Sequence, residues 1–497
     1  MSRIWHVHQR IARTAYRSSA ARICSRADNI GDYMNSKVDA LAPKASPKAA
    51  AVFIGLLGAL AGLMFGLDIG VISGAEQFIK ADFGISDGVL EHIVSWMMLG
   101  AAVGALAGGW MAKGLGRKRS LLVGSALFVA ASILCGVSWS VESLLAGRLI
   151  LGVSIGMLSF TSPIYLAEIA PENIRGSMVS FYQLMITIGI FVAYLSDLAL
   201  SYSGNWHWML GIIAIPGVLF FLGVFTLPDS PRWLMMRGRT EEATKVLTRL
   251  RGDPEIVAQE EREIAAQLRI PQHGWHMFLK NSNFRRSVGL GILLQIVQQF
   301  TGMNVVMYYA PIIFKDMGYH TEAQMVFTAI VGLTNVLATF IAIWLVDKLG
   351  RKPILYIGFS VMAIGMAVVG IMMHLGIDTR VEQLFTVVML LIFIIGFAMS
   401  AGPLIWILCS EVQPINGRDF GIALSTLTNW IANFVVGATF LTLLNRFGHA
   451  QTFWLYAGFN AVFLLITAML VPETKNVTLE FIERNLMAGK RLREIGQ

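Results

Sequence analysis

"GLGRKRSLL" at residues 114–122 and "KLGRKPILY" at residues 348–356 are two copies of one polar turn, each set between long apolar runs. Two more pairs keep step with them: "AEIAPENIRG" (167–176) with "SEVQPINGRD" (410–419), and "LPDSPR" (227–232) with "VPETK" (471–475). Motifs that recur in the same order at nearly constant spacing mean that the chain contains one unit twice, in parallel orientation. Apolar stretches of about 20 residues, the length a helix needs to cross hydrocarbon, recur from residue 50 to residue 472. About twelve fit, six per copy, the first near 50–73 and the last near 452–471. Period-2 alternation is absent, so the spans read as helices and not as barrel strands.

Composition agrees. With 55% hydrophobic and 14% charged residues among 497, and a mean hydropathy of +0.63, the chain cannot clothe a soluble domain in polar surface. The net charge of +8 invites a nucleic-acid reading, but its placement argues for topology. Lys113, Arg117, Lys118, Arg119, Arg175, Lys348, Arg351, Lys352 and Arg418 all follow even-numbered spans, on the same side as the basic N-terminal segment and the tail "KRLREIGQ". The opposite loops are acidic or mixed, as at Asp82, Asp87 and Glu91. The positive-inside rule then places both termini in the cytoplasm of a multi-pass protein. Cys24, Cys135 and Cys409 have no metal or redox spacing and read as packing residues.

The expected organisation is an all-α membrane protein. Residues 1–49 form a disordered cytoplasmic extension, whose first 33 residues have the arginine-rich, acid-poor composition of a transit peptide or precede a true start at Met34. Residues 50–228 are the first six-helix half and 286–472 the second. Between them, residues 229–285 make a cytoplasmic linker with short amphipathic helices, and 473–497 are a cytoplasmic tail. In the linker Thr240 is placed to cap a helix, and Glu242 to pair with Lys245 or Arg249. These helices read either as a brace for a gate or as a plain linker.

Ionisable residues inside the spans are few: Asp68 in "LAGLMFGLDIGVISG" (60–74), Arg148, Asp197 and His207. A charge at the bilayer centre costs about 2.5–3.5 kcal/mol even on insertion scales, so Asp68 and Arg148 are natural partners. Pairing and protonation then compete at one carboxylate, as a proton-coupled device requires, although a permanent structural salt bridge is the plainer reading. Gly66 and Gly70 leave room beside Asp68 for another helix, with the one bearing Arg148 as the candidate. At the membrane surface, Arg117, Glu168, Arg175, Asp347, Arg351, Glu411 and Arg418 form a candidate gate of ion pairs that holds while a central cavity faces outward. The first motif copy has Lys113 where the second has Asp347, so Arg117 must find its acid at Glu168 or farther away. The alternative for the whole set is topology-setting charge.

Neutral polar residues concentrate in "QIVQQFTGMNVVMYYAP" (295–311), where Gln298, Thr301, Asn304 and Tyr308 follow helical spacing toward one cavity. Gln183, Gln299, Asn335, Trp406, Asn429 and Trp430 add amides and flat aromatic faces. Amides donate and accept at fixed angles and an aromatic face covers the CH side of a sugar ring, so the set suits a neutral polyhydroxylated ligand. Hydrogen bonding between helices is the competing account.

"GLDIGVISG", "GRLILGVSIG", "PDSPRWL", "QQFTGMNVVMYYAP", "DKLGRKP" and "VPETK" together make the chain from about residue 50 onward resemble the sugar porter family of the major facilitator superfamily. Its likeness is greatest to bacterial proton-coupled galactose members, with proton-coupled arabinose members similar too. The resemblance implies the major facilitator fold of twelve transmembrane helices in two six-helix halves. It implies a proton-accepting role for Asp68 with Arg148 as its partner, and sugar-binding positions at Gln183, Gln298, Gln299, Asn304, Asn335, Trp406 and Trp430. It also favours the start at Met34, because the extension has no counterpart in the family.

The expected function is inward symport of a hexose, galactose or glucose, with a proton across the inner membrane, by a chain functional as a monomer in the lipid bilayer. No cofactor, metal, nucleic acid or catalytic residue is expected. An arabinose or pentose symporter, a facilitative uniporter and a sugar-sensing transceptor are the alternatives. An intramembrane enzyme is disfavoured by the lack of zincin, nucleophile-elbow or phosphate-loop motifs.

Overall fold

The computed structural model describes residues 47–171, 174–269 and 274–497, without the side chains of 47–51, 175, 179, 346 and 347. The N-terminal extension up to residue 46 and the side chains of Arg175 and Asp347, which carry expectations above, therefore lie outside the described residues.

Among the described residues twelve helical spans are long and apolar enough to cross a membrane. In order they are span 1 (Val52–Phe83), span 2 (Asp87–Gly114), span 3 (Arg117–Gly136), span 4 (Val141–Ile169), span 5 (Gly176–Ser201) and span 6 (Trp206–Thr226). Then come span 7 (Ser282–Asp316), span 8 (Thr321–Leu345), span 9 (Arg351–Leu375), span 10 (Arg380–Glu411), span 11 (Ile415–Phe447) and span 12 (His449–Leu470). Packing repeats as the sequence does. Span 1 lies on span 5, span 2 on 4, span 3 on 4 and 6; in the second half span 7 lies on 11, span 8 on 10, span 9 on 10 and 12. The halves meet through spans 5 and 8, 2 and 11, and 1 and 7. The end carrying the two Gly-Arg-Lys turns is called the basic end below.

Close approach inside each half depends on glycine. A Cβ on Gly66 would lie 2.0 Å from the Ile186 carbonyl oxygen, and one on Gly152 1.9 Å from that of Met97. The helix admitted beside Asp68 is therefore span 5, not the Arg148-bearing span 4, which packs on span 2 instead. Arg148 reaches Asp68 by the length of its side chain.

Several spans break near mid-membrane. Span 7 stops being helical at Gly302 (φ +92°), a left-handed backbone that glycine tolerates, and bends again at Tyr309 ahead of Pro311. Span 10 breaks at Ser400 (φ −129°, ψ −90°). Freed backbone groups at such breaks need side-chain partners, because no water is present in hydrocarbon to supply them.

On the basic side the linker forms helices Pro231–Met236, Thr240–Arg251, Pro254–Leu268 and Gly274–Lys280. Thr240 does not cap: Arg239 occupies the cap position, and Glu242 turns back to pair with it at 2.5 Å. The last of these helices packs on the second half, with Trp275 and Phe278 against Phe420 of span 11; the others are tied to the first half. Arg251 pairs with Glu260 at 2.7 Å and donates to the Ile169 and Ala170 carbonyls at the end of span 4, while the Trp233 indole N–H donates to the Lys113 carbonyl.

Candidate functional site

Asp68 and Arg148 are both fully buried and form an ion pair, the Arg148 Nη1 donating to Asp68 Oδ1. Arg148 Nε donates to the Ile93 carbonyl of span 2 at 3.2 Å, which fixes the guanidinium between spans 1, 2 and 4. Asp68 Oδ2 and Arg148 Nη2 have no hydrogen-bond partner. An under-satisfied buried pair is poised: gaining a proton frees the carboxyl from the guanidinium at the loss of one charge-assisted bond.

Across the seam, the amides of the second half are organised by the helix breaks. Gln298 donates through Nε2 to the carbonyls of Ala401 (3.0 Å) and Gly402 (2.9 Å), the first residues after the break in span 10. Its Oε1 accepts from Asn429 of span 11 at 2.9 Å, and Asn429 also donates to Gln295 at 2.6 Å. Asn304 donates to Gln299 at 2.5 Å. Tyr308 pairs with Asn433, one turn along span 11 from the Asn429 that bonds Gln298. The break at Gly302 interrupts the row between these two ends, where Thr301 bonds back to the Gln298 carbonyl and Asn304 joins Gln299.

Of the other expected contacts, Asn335 is buried in span 8 and Gln183 is half-buried in span 5. Trp406 is 37% exposed, and Trp430 is buried with its ring 5.4 Å from Phe65 of span 1. The Phe65–Trp430 contact links the halves one turn from Asp68, which connects the ion pair to the amide cluster. Such a set can hold hydroxyls by amide bonds and shield a ring's CH face with tryptophan.

At the basic end the repeat extends to atoms. Arg117 pairs with Glu168 at 2.6 Å, and the other Glu168 oxygen accepts from Ser230 at 2.5 Å. In the second half Arg351 pairs with Glu411 at 2.9 Å, and the other Glu411 oxygen accepts from Thr474 at 2.5 Å. Arg117 thus solves the missing acid at Lys113 by reaching Glu168. Each network stays within one half, so in this state it ties span ends together and does not bridge the halves. Arg418 Nε and Nη2 have no hydrogen-bond partner, and the acids that act on it, Asp419 of span 11 and Glu480 and Glu483 of the tail, lie on its own side of the seam. Beside Ser230, burial pushes the Asp229 carboxyl above the usual range, against the pull of Lys118 and Arg119. Ser230 and Thr474 were not singled out from sequence, although their positions two residues after Pro228 and Pro472 carried the signal. Glu168→Gln and Glu411→Gln each remove a charge-assisted bond worth about 1.5–3 kcal/mol. Matched decreases in the thermal unfolding midpoint in detergent are expected, and a large effect of one with none of the other would contradict equivalence of the two networks.

Among the described residues, the halves are joined by side-chain bonds toward the other end. Glu91 accepts from the Thr442 amide (2.8 Å) and hydroxyl (2.6 Å), Asn445 donates to Asp87 at 3.0 Å, and Tyr194 donates to the Met307 carbonyl at 2.6 Å. These contacts close the end opposite the basic one.

Comparison with known proteins fits this geometry. The family model described as "Sugar (and other) transporter" matches residues 54–486. The chain is 60% identical over 430 residues to the galactose-proton symporter of Escherichia coli (strain K12), covering 86% of this chain and 93% of that protein. It is 55% identical over 433 residues to the arabinose-proton symporter of the same organism, covering 86% and 92%. Among solved structures, the partially occluded inward-open xylose transporter XylE from E. coli matches with a TM-score of 0.76 at 30% identity, over 86% of this chain and 99% of that one. XylE, a proton:xylose symporter, bound to 6-bromo-6-deoxy-D-glucose matches with a TM-score of 0.73, also at 30% identity, over 90% and 99%. The repeated halves, the buried ion pair facing an amide cluster, and a family match across nearly all the described spans lead to one conclusion: the chain is a multi-pass membrane protein with the major facilitator fold and belongs to the sugar transporter family.

Proposed function

We propose that the chain imports a hexose, galactose foremost and glucose next, together with a proton, by alternating access across the bacterial inner membrane. The observation that carries the reading is the buried Asp68–Arg148 pair, one turn from a contact that joins the two halves. Protonation of Asp68 releases Arg148, sugar fills the amide cluster, and the outer end closes. The positive-inside rule makes the basic end cytoplasmic, so both described terminal regions lie there and this state faces inward. The Thr240–Arg251 helix, bonded through Arg251 to the end of span 4, braces the first half as it moves. One chain supplies both the ion pair and the amides, so a monomer in the lipid bilayer suffices. The 60% identical relative is a galactose-proton symporter, which supports galactose; the 55% identical one makes arabinose the second reading.

The test is labelled uptake into energised vesicles against a panel of galactose, glucose, arabinose and xylose, with and without an uncoupler. Galactose is expected to compete best, the uncoupler to collapse accumulation, and sugar added to de-energised cells to alkalinise the medium. Uptake without alkalinisation identifies a uniporter and overturns symport; stronger competition by arabinose overturns the hexose assignment.

A further inference from the structure

Span 1 carries a second carboxylate inside the bundle. Glu76 lies two helical turns from Asp68, about 12 Å along the axis, on the same face of a helix that continues to Phe83. It is 0% exposed, and neither carboxylate oxygen has a hydrogen-bond partner. The ionisable groups within its electrostatic reach are Lys80 on its own span, Asp87 at the start of span 2, the Tyr194 hydroxyl from span 5 and the Tyr309 hydroxyl from span 7. Lys80 is already paired to Asp87 at 2.5 Å. Tyr194 donates to the Met307 carbonyl and Tyr309 to the Gly437 carbonyl. Nothing in this state offers Glu76 a counter-charge of its own, and an ionised carboxylate buried without donors is strongly disfavoured.

Water comes close. A pocket of about 240 Å³ at the outer end is lined by Gln77, Lys80 and Asp87 of the first half and by Pro311, Lys315 and Asn445 among residues of the second. The pocket reaches the residue beside Glu76 and stops there. Its walls belong to both halves, so moving span 1 away from span 7 extends the pocket to Glu76. Asp197 is also buried, but it lies against Gly74, within the tight pairing of spans 1 and 5 of a single half, and that burial does not depend on the seam.

We propose that Glu76 is a second proton-binding residue of the transport cycle, ionised while the outer end is open and required to be protonated for that end to close. The inference rests on the alternating-access reading above. Its proton enters from the outer medium on closing and returns to it on reopening. The residue therefore adds nothing to the sugar:proton ratio but makes the closing equilibrium depend on outside pH. A group that is ionised when open and neutral when closed changes the open-to-closed ratio tenfold per pH unit.

The experiment uses the full chain in proteoliposomes without sugar or gradient. Ser73→Cys, one turn inward of Gln77 on span 1 and without exposure in this state, is labelled with a membrane-impermeant methanethiosulfonate between pH 6 and 8, with rates corrected for thiolate fraction to give the open-to-closed ratio. In the otherwise unaltered chain the logarithm of that ratio is expected to rise with pH with a slope of at least one. Adding Glu76→Gln is expected to lower the slope by one and leave the sugar:proton ratio unchanged. An unaltered slope, or a changed ratio, overturns the proposal. Should the glutamine variant fail to fold, a slope below one in the unaltered chain overturns it alone. Failure of the transport reading appears separately, as absence of uptake in the sugar panel.

Discussion

Asp68→Asn is expected to abolish uphill sugar accumulation while sugar exchange persists. A membrane potential of 100 mV is worth about 2.3 kcal/mol per charge moved, roughly a fifty-fold sugar gradient for one proton. That gradient requires a group that carries the proton through the cycle. Asp68 meets the requirement because it is fully buried and paired to the equally buried Arg148, so its charge is tolerated only in company. Asparagine keeps the size and one acceptor oxygen for Arg148 Nη1 but cannot gain or lose a proton. It mimics the protonated carboxyl, so the loaded carrier still cycles and exchange continues. Without the carboxylate's charge, Arg148 is left with neutral acceptors, the asparagine oxygen and the Ile93 carbonyl, and removing one charge of a buried pair costs about 3–5 kcal/mol. Reduced stability of the variant is therefore expected as well. Counterflow in the same vesicles checks folding and function together: measurable counterflow with an accumulation ratio of one fits the role, and accumulation at the unaltered level refutes it.

The sequence made the fold legible because its repeat is written in turns that must stay polar. Gly-Arg-Lys, the two glutamate motifs and the two proline motifs survive in both halves because each completes the same network, Arg117–Glu168–Ser230 and Arg351–Glu411–Thr474. Asp68 and Arg148 were equally visible, since charges in apolar runs stand out. Glu76 did not stand out, for a physical reason. After Gly74 the sequence turns polar, with Glu76, Gln77, Lys80 and Asp82, and a reading by hydropathy ends the span near residue 73, whereas the helix continues to Phe83, its end held by Trp206 of span 6. Burial that other spans supply leaves little trace in local composition. The amide row is less simple than ideal helical spacing implies: at Gly302 the backbone turns left-handed, and although Gln298 and Tyr308 both meet span 11, Asn304 between them bonds to Gln299. The approach of span 5 to Gly66 was hidden similarly, because a glycine tells that a neighbour comes close but not which one.

Gln298→Ala is expected to raise the half-saturating sugar concentration at least a hundredfold, the second large effect. Gln298 is the only described residue bonded to both carbonyls that follow the break in span 10, at Ala401 and Gly402, and it also accepts from Asn429. Alanine therefore removes an amide of the candidate sugar site and leaves one Asn429 N–H short of an acceptor, while the two carbonyls keep their partners within the helix that starts at Ala401. A sugar hydroxyl bonded to a neutral amide contributes about 0.5–1.5 kcal/mol, and each buried group left unpaired costs about 1–3 kcal/mol. One lost ligand bond with one unpaired group gives about 3 kcal/mol, more than a hundredfold in affinity. Gln299, by contrast, is bonded to Asn304 alone among the described side chains, and Gln299→Ala is expected to cost about tenfold. Concentration dependence of counterflow in the two variants measures both values. A Gln298→Ala carrier that saturates at the unaltered sugar concentration would place the binding site elsewhere, whereas the expected order makes the break in span 10, held by one glutamine, the point at which sugar occupancy meets the movement of the second half.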